Sequence, residues 1–477
     1  MIKKKEFNKI CKAAEFFLRT NYKNLVLLSI SEAHVIRPHP IFLKNYQILF
    51  EKYFFINISY LFIKNFIKVI YFLFSNNFRK RAIYNFKKND GYIFVSHFFN
   101  QKQIFENKNK DFYFSHFFKY KRKDSSLVLF NHLKKNFNSK NKIILNTHEK
   151  FLDEIKLFAK VLREFFLFNK NYEKKKNIFY KKFLILIFSN LCSVNTLNNL
   201  RIYYQFKKIL KKTKPKKIIV TFEGHVFERN IFLAANSVND NIEKIGFHHS
   251  IPFQNQFSYT LKLNNGSDPD IVMTSGKIST KEFLRLKIYS NIMQVGSNRI
   301  SNKDKILKKL KINKILTCLV IPEGIESETE LLLNFCRDYL KKYEDIKFII
   351  RLHPVLKSKA YKYIKYFDKD TIGIKVFFSN NSRQLDDIKK CDIALYRGTS
   401  LIFDAVKNGI VPFYYQKNNE LNFDPLSLAS QKKNQSIKIS NISEFNQKVS
   451  NKNIFTKNYY FEAYSYPDKK KILNYFS

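Results

Sequence analysis

The sequence predicts an α/β protein made of two doubly wound parallel sheets that face each other across a cleft. Two observations predict this fold class. Short apolar runs alternate with longer mixed segments along most of the 477 residues, and polar residues follow several of the apolar runs directly. The chain is too long for one ordinary domain and suits two. Hydrophobic residues make up 45% of it, so a sizeable core is available and a globally disordered chain is excluded.

The predicted N-terminal domain, residues 1–300, has the less regular pattern. Helical segments separate its apolar runs, which favours parallel strands with crossover connections. The Lys-rich stretch Ser297–Asn313 is predicted to link this domain to the next. The candidate strands are Asn24–Ile30, Tyr92–Ser96, Lys142–Leu145, Lys217–Thr221, Lys244–His248, Ile271–Thr274 and Ile292–Val295.

The predicted C-terminal domain, residues 301–455, alternates strands and helices more clearly. A helix is expected over Ser327–Lys342, with Ser327 as its cap and Glu330 completing a capping box. Gly409 is expected to end a helix over Thr399–Asn408. Residues 456–477 are predicted to form a helical tail. The candidate strands are Ile315–Ile321, Ile346–Arg351, Ile374–Phe378, Asp392–Tyr396 and Ile410–Tyr415.

Positive charge is concentrated in the first half of the chain. Residues 1–220 carry 46 basic and 13 acidic side chains, whereas residues 221–477 carry 40 and 26. A basic, aromatic-rich half can face an anionic membrane or an anionic acceptor, or it can simply be solvated. No pattern typical of nucleic-acid binding is present, so no nucleic acid is expected as a partner. The five cysteines form no CxxC pair and indicate reduced thiols. The expected location is cytoplasmic, at the inner face of a membrane.

The most apolar segment, Tyr46–Ser75, is interrupted by four charged residues. Its longest uncharged run, Tyr53–Ile63, is shorter than the about 20 residues that a spanning helix needs. The sequence therefore predicts a buried or interfacial helix here. No secretory signal is recognised at the N-terminus.

Two candidate strands of the first domain are followed by polar residues. Glu223 and Gly224 come directly after Lys217–Thr221, where a carboxylate can act as a general base; the alternative is a helix-capping carboxylate. His249 and Ser250 lie furthest past Lys244–His248, so they are predicted to face the cleft.

Two strands of the second domain end in the same way. His353 leaves its strand just before Pro354, and an imidazole there can donate to a phosphate oxygen. Arg397, Gly398, Thr399 and Ser400 follow another strand, at a predicted helix start of the kind that binds phosphate; a plain helix cap is the alternative.

A metal site is not expected. The paired His248 and His249 have no third ligand at a useful spacing. The Asp268-Pro269-Asp270 segment superficially looks like a metal motif, but it precedes a strand and is interpreted as a turn.

These motifs resemble those of known transferases. The segment Gly398-Thr399-Ser400 with Asp404, Ala405, Gly409 and Pro412 resembles the donor site of GT-B-type glycosyltransferases. The order Glu223-Gly224, His353-Pro354, Thr399-Ser400 is similar to that of bacterial sialyltransferases and polysialyltransferases, although Phe222 stands where those have an acidic residue. Phe222–Asn230 with Phe247–Ser250 resembles a family of surface-carbohydrate biosynthesis proteins. The match covers residues 215–415.

The resemblance implies a glycosyltransferase of capsule or lipopolysaccharide synthesis, independent of metals and cofactors. Its substrates would be a nucleotide sugar, with a CMP-activated sugar as one option, and a glycan or lipid-linked acceptor. Glu223 and His353 would be catalytic, and His249 and Ser250 would lie on the acceptor side. Arg299 is placed at the floor of the hinge. The implied donor-binding residues are Gly324, Arg351, Pro354, Arg397, Gly398, Thr399, Ser400 and Asp404, of which Asp404 would bind the ribose.

Three alternatives stay open. A CDP-polyol phosphotransferase would use the same fold and a related donor. A nucleotide-sugar epimerase would share the fold but would need more carboxylates in the cleft. A non-catalytic scaffold at a membrane surface would use the basic half alone.

Overall fold

The computed structural model describes residues 2–75, 91–106, 110–118, 125–133, 135–139, 142–172, 177–300, 315–428, 437–450 and 462–476. All statements below concern those residues. Most of the predicted linker Ser297–Asn313 lies outside them.

The chain begins with a helical layer. It comprises α1 (Lys4–Thr20), α2 (Leu25–Leu28), α3 (Pro40–Gln47) and α4 (Phe54–Ser75). The strand predicted over Asn24–Ile30 is wrong, because α2 occupies this run. The Asn24 side chain accepts hydrogen bonds from the backbone N–H groups of Val26 and Leu27, at 3.0 and 3.1 Å, and so caps a single helical turn.

The first sheet is parallel throughout and has the strand order β3-β2-β1-β4-β5-β6-β7. Its direction of winding reverses between β1 and β4, which pair over Tyr92–Val95 and Lys217–Val220. The elements are β1 (Tyr92–Phe98), α5 (Ser115–Phe118), β2 (Ser125–Asn131), β3 (Ile143–Ile144), α6 (Phe151–Tyr172), α7 (Ile178–Leu191), α8 (Val194–Thr213), β4 (Lys217–Thr221), α9 (Val226–Val238), β5 (Glu243–His248), β6 (Ile271–Thr274), α10 (Lys277–Leu286) and β7 (Asn291–Gln294).

The second sheet is also parallel, with the order β10-β9-β8-β11-β12-β13 and its reversal between β8 and β11. The predicted fold class is thereby confirmed: two doubly wound domains occupy successive parts of the chain. The elements are β8 (Leu316–Ile321), α11 (Glu326–Leu340), β9 (Ile346–Ile350), α12 (Ala360–Ile364), β10 (Val376–Phe378), α13 (Gln384–Ile388), β11 (Ile393–Tyr396), α14 (Ile402–Lys407), β12 (Val411–Tyr415), β13 (Ile437–Ile439), α15 (Ile442–Ser450) and α16 (Lys469–Phe476).

Several local predictions need correction. Strands β2 and β13 were not predicted. Helix α11 begins at Glu326, and its preceding residue Ile325 provides no side-chain cap, so the predicted Ser327 capping box is wrong. Helix α14 is shorter than expected because it begins only at Ile402. Gly409 does follow it with a φ of +84°, as a glycine after a helix end should.

The end of the chain returns to the first domain. Residues 462–468 run along the ends of β6 and β7, where Ser465 bonds to the backbone of Ser275. A Cβ at Gly276 would lie 2.2 Å from the carbonyl oxygen of Ala463, so glycine permits this close approach. Helix α16 then packs Ile472 and Phe476 into the core of the first sheet.

Helix α4 lies within the segment Tyr46–Ser75, where the sequence predicts a helix. It continues through both of its lysines for 22 residues. Within the described residues, α4 has the length and apolar composition needed to cross a bilayer, and so do α7 and α8 if that bent pair is taken as one segment. The argument that this segment is too short is therefore wrong. A single helix of this kind is also found in proteins that do not span membranes.

Candidate functional site

A cavity of about 440 Å³ lies where the carboxyl ends of the two sheets meet. We call it the cleft cavity. Ligands of doubly wound folds bind at such ends, near the point where strand order reverses. Its wall is built from both parts of the chain, by Phe112, Arg299, Ile321, Pro322, Arg351, Leu352, His353, Pro354, Lys357, Gln384, Thr399, Ser400, Leu401, Phe403, Asp404 and Tyr464.

His353 lies on this wall directly after β9. Pro354 begins a 3₁₀ helix there, and the Nδ1 atom of His353 accepts a hydrogen bond from the backbone of Val355 at 3.4 Å. A Cβ at position 324 would stand 2.8 Å from that Nδ1 atom, so Gly324 makes room for the ring. Partial desolvation by its neighbours lowers the pKa of the otherwise exposed His353, although nearby Glu323 opposes the shift. The imidazole is therefore a neutral donor or acceptor at neutral pH.

The cleft cavity is also lined by three residues that follow β11, namely Thr399, Ser400 and Asp404. The Thr399 hydroxyl accepts from the backbone of Leu401 at 3.3 Å, which shapes the turn before α14. The Asp404 carboxylate accepts from the Gln384 side chain at 3.0 Å. Two hydroxyls and one carboxylate thus face the same space as His353.

Two cations complete the wall. The Arg299 guanidinium lies over the rings of Phe112 and Tyr464, at 5.6 and 5.0 Å, and donates to the Tyr464 hydroxyl at 2.5 Å. Lys357 is exposed on the 3₁₀ helix after His353. The sequence had placed Arg299 only at a hinge floor, whereas the structure brings it into the cavity beside the predicted donor-binding residues.

The two other predicted arginines are held by the protein itself. Arg351 lines the cavity, but its Nη1 atom donates to the Asp387 carboxylate and to the Asn381 carbonyl oxygen. Arg397 is buried outside the cavity wall. Its three nitrogens donate to Glu328, to the Tyr415 carbonyl oxygen and to both oxygens of Glu420. The expected contact of Arg397 with a donor is therefore corrected to a structural role.

Glu223 forms a separate centre, which we call the Glu223 cluster: Glu223 with Arg37, His225 and His249. Its Oε2 atom is 3.0 Å from Arg37 Nη2 and 3.4 Å from His225 Nε2, and its Oε1 atom is 3.5 Å from His249 Nε2. Glu228 accepts from the backbone N–H groups of Glu223 and His225 and so takes the helix-capping role considered for Glu223.

The Glu223 cluster has strongly shifted titration. Burial alone would raise the pKa of Glu223, but the Arg37 charge, with the hydrogen bond from His225 and the charge of His249, holds it well below its usual range. Burial lowers the pKa of His249 to about 4, against the attraction of Glu223. At neutral pH the cluster therefore contains a fixed carboxylate beside a neutral imidazole.

The Glu223 cluster stands behind the cavity wall rather than on it. Glu223 is not among the lining residues. The centre of the His249 ring lies 4.2 Å from that of the Tyr113 ring. Phe112, which precedes Tyr113 in the chain, lines the cavity. Ser250 is not among the lining residues either, and its carbonyl oxygen accepts from the Ser279 hydroxyl at 3.2 Å. The expectation that Glu223 and His353 line one cavity is wrong for Glu223, and His249 is the member of the cluster nearest that wall.

Arg37 and His39 were missed by the sequence analysis. His39 Nε2 is 2.5 Å from Glu323 Oε2, so one short segment binds the acids that follow β4 and β8. A Cβ at Gly398 would lie 2.0 Å from Glu323 Oε1 and 2.9 Å from His39 Nε2, so this contact needs a glycine at 398.

A signal for this segment exists in the sequence. Arg37-Pro38-His39-Pro40 groups four residues of types that are scarce in the chain, which has 10 Pro and 10 His. The prolines restrict the backbone on either side of the imidazole. The partner of Arg37 is 186 residues away, a distance that no local pattern reveals.

The turn with two aspartates is structural. Asp268 binds Arg229 and accepts from the backbone of Leu263, and Asp270 accepts from the backbone of Lys244 at 2.9 Å. In the described part of the chain, no group of three or more His, Cys, Asp or Glu side chains could hold a metal ion.

Comparison with known proteins gives similar architectures at low identity. No protein-family model matches the chain, and neither does any curated protein sequence. An MnaA–UDP structure from S. aureus is 11% identical, with 81% of this chain and 95% of that chain covered and a TM-score of 0.43. MurG from Acinetobacter baumannii is 9% identical, with 81% and 99% covered and a TM-score of 0.44.

A third similar structure is the UDP-GlcNAc 2-epimerase from Neisseria meningitidis bound to UDP-GlcNAc. It is 14% identical, with 80% of this chain and 98% of that chain covered and a TM-score of 0.41. The strand orders of the two sheets are those of two doubly wound domains.

Proposed function

We propose that the protein is a glycosyltransferase that binds a nucleotide sugar in the cleft cavity. One observation carries this proposal. The cavity lies between the carboxyl ends of two doubly wound sheets. A single carboxylate, Asp404, lines it together with these cationic, imidazole and hydroxyl side chains: Arg299, Arg351, Lys357, His353, Thr399, Ser400 and Tyr464. Such a lining suits a ligand with a negatively charged phosphate and a hydroxyl-bearing ribose.

The donor phosphate would lie against His353, Thr399 and Ser400. Negative charge grows on this phosphate as the bond to the sugar breaks, and preorganised donors stabilise it most in the transition state. Arg299 would add positive charge from the other domain. Asp404 would accept from a ribose hydroxyl.

The acceptor would be activated by His249 with Glu223. The acceptor oxygen attacks the anomeric carbon, its proton passes to the neutral His249 imidazole, and the nucleotide leaves with the bonding electrons. Glu223 stabilises the resulting imidazolium and orients the ring, as a carboxylate does for an imidazole base elsewhere. This assignment replaces direct proton abstraction by Glu223, because Arg37 already occupies that carboxylate.

We further propose that the protein works in surface polysaccharide synthesis, at the cytoplasmic face of a membrane. The basic first half of the chain and the exposed apolar residues of α4 support this. A CMP-activated sugar stays one option for the donor, and no metal or cofactor is assigned.

Titration calorimetry with CMP-, UDP-, GDP- and CDP-sugars tests the donor site. At least one nucleotide should bind, and Ser400→Ala should weaken it while Lys369→Ala, an exposed site away from the cavity, should not. Absence of any nucleotide binding would overturn the proposal. Conversion of a bound nucleotide sugar without an acceptor would indicate an epimerase, and transfer of a polyol phosphate would indicate the phosphotransferase.

A further inference from the structure

Helix α4 presents an apolar face to solvent. No acidic residue lies in the helix, and its only charges are Lys64 and Lys68. The outward face of a helix on a water-soluble protein is normally polar. This face therefore suits an apolar partner. Eight of its large apolar side chains are exposed: Phe55, Ile56, Tyr60, Ile63, Phe66, Ile67, Tyr71 and Phe74.

A cavity lined by both polar and apolar side chains opens at the C-terminal half of this helix. It has a volume of about 610 Å³, lies past the ends of β2 and β3, and is called here the α4 cavity. No carboxylate is among its lining residues. Side-chain amides both donate and accept hydrogen bonds, which matches the hydroxyls of a sugar. Its polar lining includes Asn65, Asn131, Asn146, Asn195, Asn198 and Lys68.

An apolar groove runs beside the N-terminal half of the same helix. This α4 groove, about 260 Å³, lies between α4 and α7 and is lined by Ile58, Phe62, Ile185 and Phe188, among others. Its lining includes Ser189, whose carbonyl oxygen accepts from the Asn65 side chain at 3.0 Å. Asn65 also lines the α4 cavity. The hydrogen bond between Asn65 and Ser189 therefore joins a residue of one opening to a residue of the other, so the two openings are neighbours.

We propose that the α4 cavity and the α4 groove together bind one amphiphile, a glycolipid with a hydroxyl-rich head. The head occupies the α4 cavity, and the apolar chain follows the α4 groove and the exposed face of α4. Lys68, which is exposed and lines the cavity, stands where a head-group phosphate would enter. That this amphiphile is the acceptor rests on the proposed glycosyltransferase function; the binding site itself does not.

The chain contains no tryptophan, so one can be introduced as a unique reporter. Tyr71 is exposed and lines the α4 cavity, and Tyr71→Trp places the reporter there. Dodecyl maltoside, kept below its micellar concentration, should shift the emission to the blue with saturation. Each methylene removed from the chain should weaken binding about fourfold, and maltose alone should bind weakest. Tyr361→Trp, on exposed α12 of the other domain, is the matched control and should show no shift.

Two substitutions separate a built site from general adhesion to an apolar helix. Ser59 is exposed and lines the α4 groove. Ser59→Phe in the Tyr71→Trp background fills the groove and should weaken binding ~10-fold, as expected for loss of a few buried methylenes. Ser59→Ala should not. Asn195→Phe should fill the α4 cavity and weaken binding there, as Ser59→Phe does at the α4 groove. General adhesion predicts the reverse for Ser59→Phe, because the helix becomes more apolar, and that result would overturn the site.

The failure of this inference is distinguishable from failure of the proposed function. Saturable binding of dodecyl maltoside without transfer from any nucleotide sugar would leave the site and refute the transferase. Transfer to a water-soluble glycan, with no saturable binding at the reporter, would leave the transferase and refute the site.

Discussion

The Glu223 cluster lies behind the wall of the cleft cavity, and the polar groups of the two places differ in whether they already have partners. In the Glu223 cluster one buried carboxylate already contacts the Arg37 guanidinium and the imidazoles of His225 and His249. On the wall of the cleft cavity, His353, Lys357 and Ser400 are exposed. The polar groups of the Glu223 cluster bind one another, whereas those of the cleft cavity are accessible to a ligand.

The two places therefore call for different measurements: stability and the rate of transfer for the Glu223 cluster, and ligand affinity for the cleft cavity. A group bound inside a saturated cluster affects the fold and the chemical step together, because its removal leaves other buried charges unpaired. Removal of a solvent-accessible group that contacts a ligand weakens ligand binding and leaves the stability of the fold almost unchanged. The following predictions test that distinction.

The largest effect is expected for Glu223→Gln. The loss of the carboxylate removes the partner of His249 and leaves Arg37 buried without its counter-charge. Transfer should fall by about 10²–10⁴, the usual worth of acid–base assistance, and thermal stability should fall as well, while nucleotide affinity stays within twofold. Steady-state kinetics, calorimetry and melting curves measure the three quantities.

The matched control is Glu326→Gln. Glu326 forms ion pairs with Lys359 and Lys362 on the surface, so the same substitution removes charge without unpairing a buried group. Wild-type transfer in Glu223→Gln would contradict the assignment of this cluster to catalysis.

A smaller but still large effect is expected for His353→Ala. A preorganised donor to a developing anion is worth about 3 kcal/mol, or ~100-fold in kcat/KM. Because His353 is exposed, the melting temperature should be unchanged. KM should rise and kcat should fall together, since the phosphate is charged before and during transfer. A drop in stability with unchanged kcat/KM would instead mark His353 as structural.

Acidification should destabilise the fold through the Glu223 cluster. The pKa of His249 is lowered from 6.5 to about 4, so between these values the unfolded chain binds a proton that the folded protein refuses. Stability therefore falls as pH falls from 6.5 to 4, by roughly 3 kcal/mol for a shift of this size. Glu223, whose pKa is depressed, adds a further loss below its ordinary value near 4.5.

Urea unfolding at a series of pH values measures this slope. Burial also lowers the pKa of other histidines, namely His34, His97, His132, His225 and His248. His249→Asn should therefore make the slope between pH 6.5 and 4 shallower by the share of one proton, whereas His353→Asn should change it less because that ring is exposed. An unchanged slope in His249→Asn would mean that its burial does not control the acid response.

The smallest effect is expected for Lys357→Ala. An exposed lysine near a bound phosphate contributes about 0.2–1 kcal/mol, so nucleotide affinity should fall about 1.4- to 5-fold. The difference from the wild type should vanish at high salt, because salt screens the lysine–phosphate attraction in the wild type. Lys369→Ala removes an equal charge away from the cavity and should change nothing. Equal losses in both variants would show a general charge effect rather than a contact.

The sequence was most informative where function follows a strand end. His353, Thr399 and Ser400 were predicted from that position and Asp404 from the family resemblance, and all four line one cavity. The rule works because parallel strands bring their carboxyl ends to one edge. It failed for Glu223 and Arg397, which also follow strands, because position after a strand does not tell whether a side chain already has a partner.

The remaining errors have specific causes. The run Leu25–Leu28 is apolar enough for a strand, but the Asn24 side chain caps a helical turn instead. Strand β2 follows the charged residues 121–124, and β13 is only three residues long. Arg37 and His39 act on acids 186 and 284 positions away, so only the folded chain shows that they meet.

The return of the chain end to the first sheet has a consequence for synthesis in the cell. The Tyr92 hydroxyl donates to the carbonyl oxygen of Phe476, and the two rings pack edge to face at 5.2 Å. Domains generally fold in order as they leave the ribosome. Here the first sheet has to wait for residues that are made after the second domain before its core is closed. A nascent chain halted after residue 460 should therefore expose part of that core to chaperones, even though all its strands are already made.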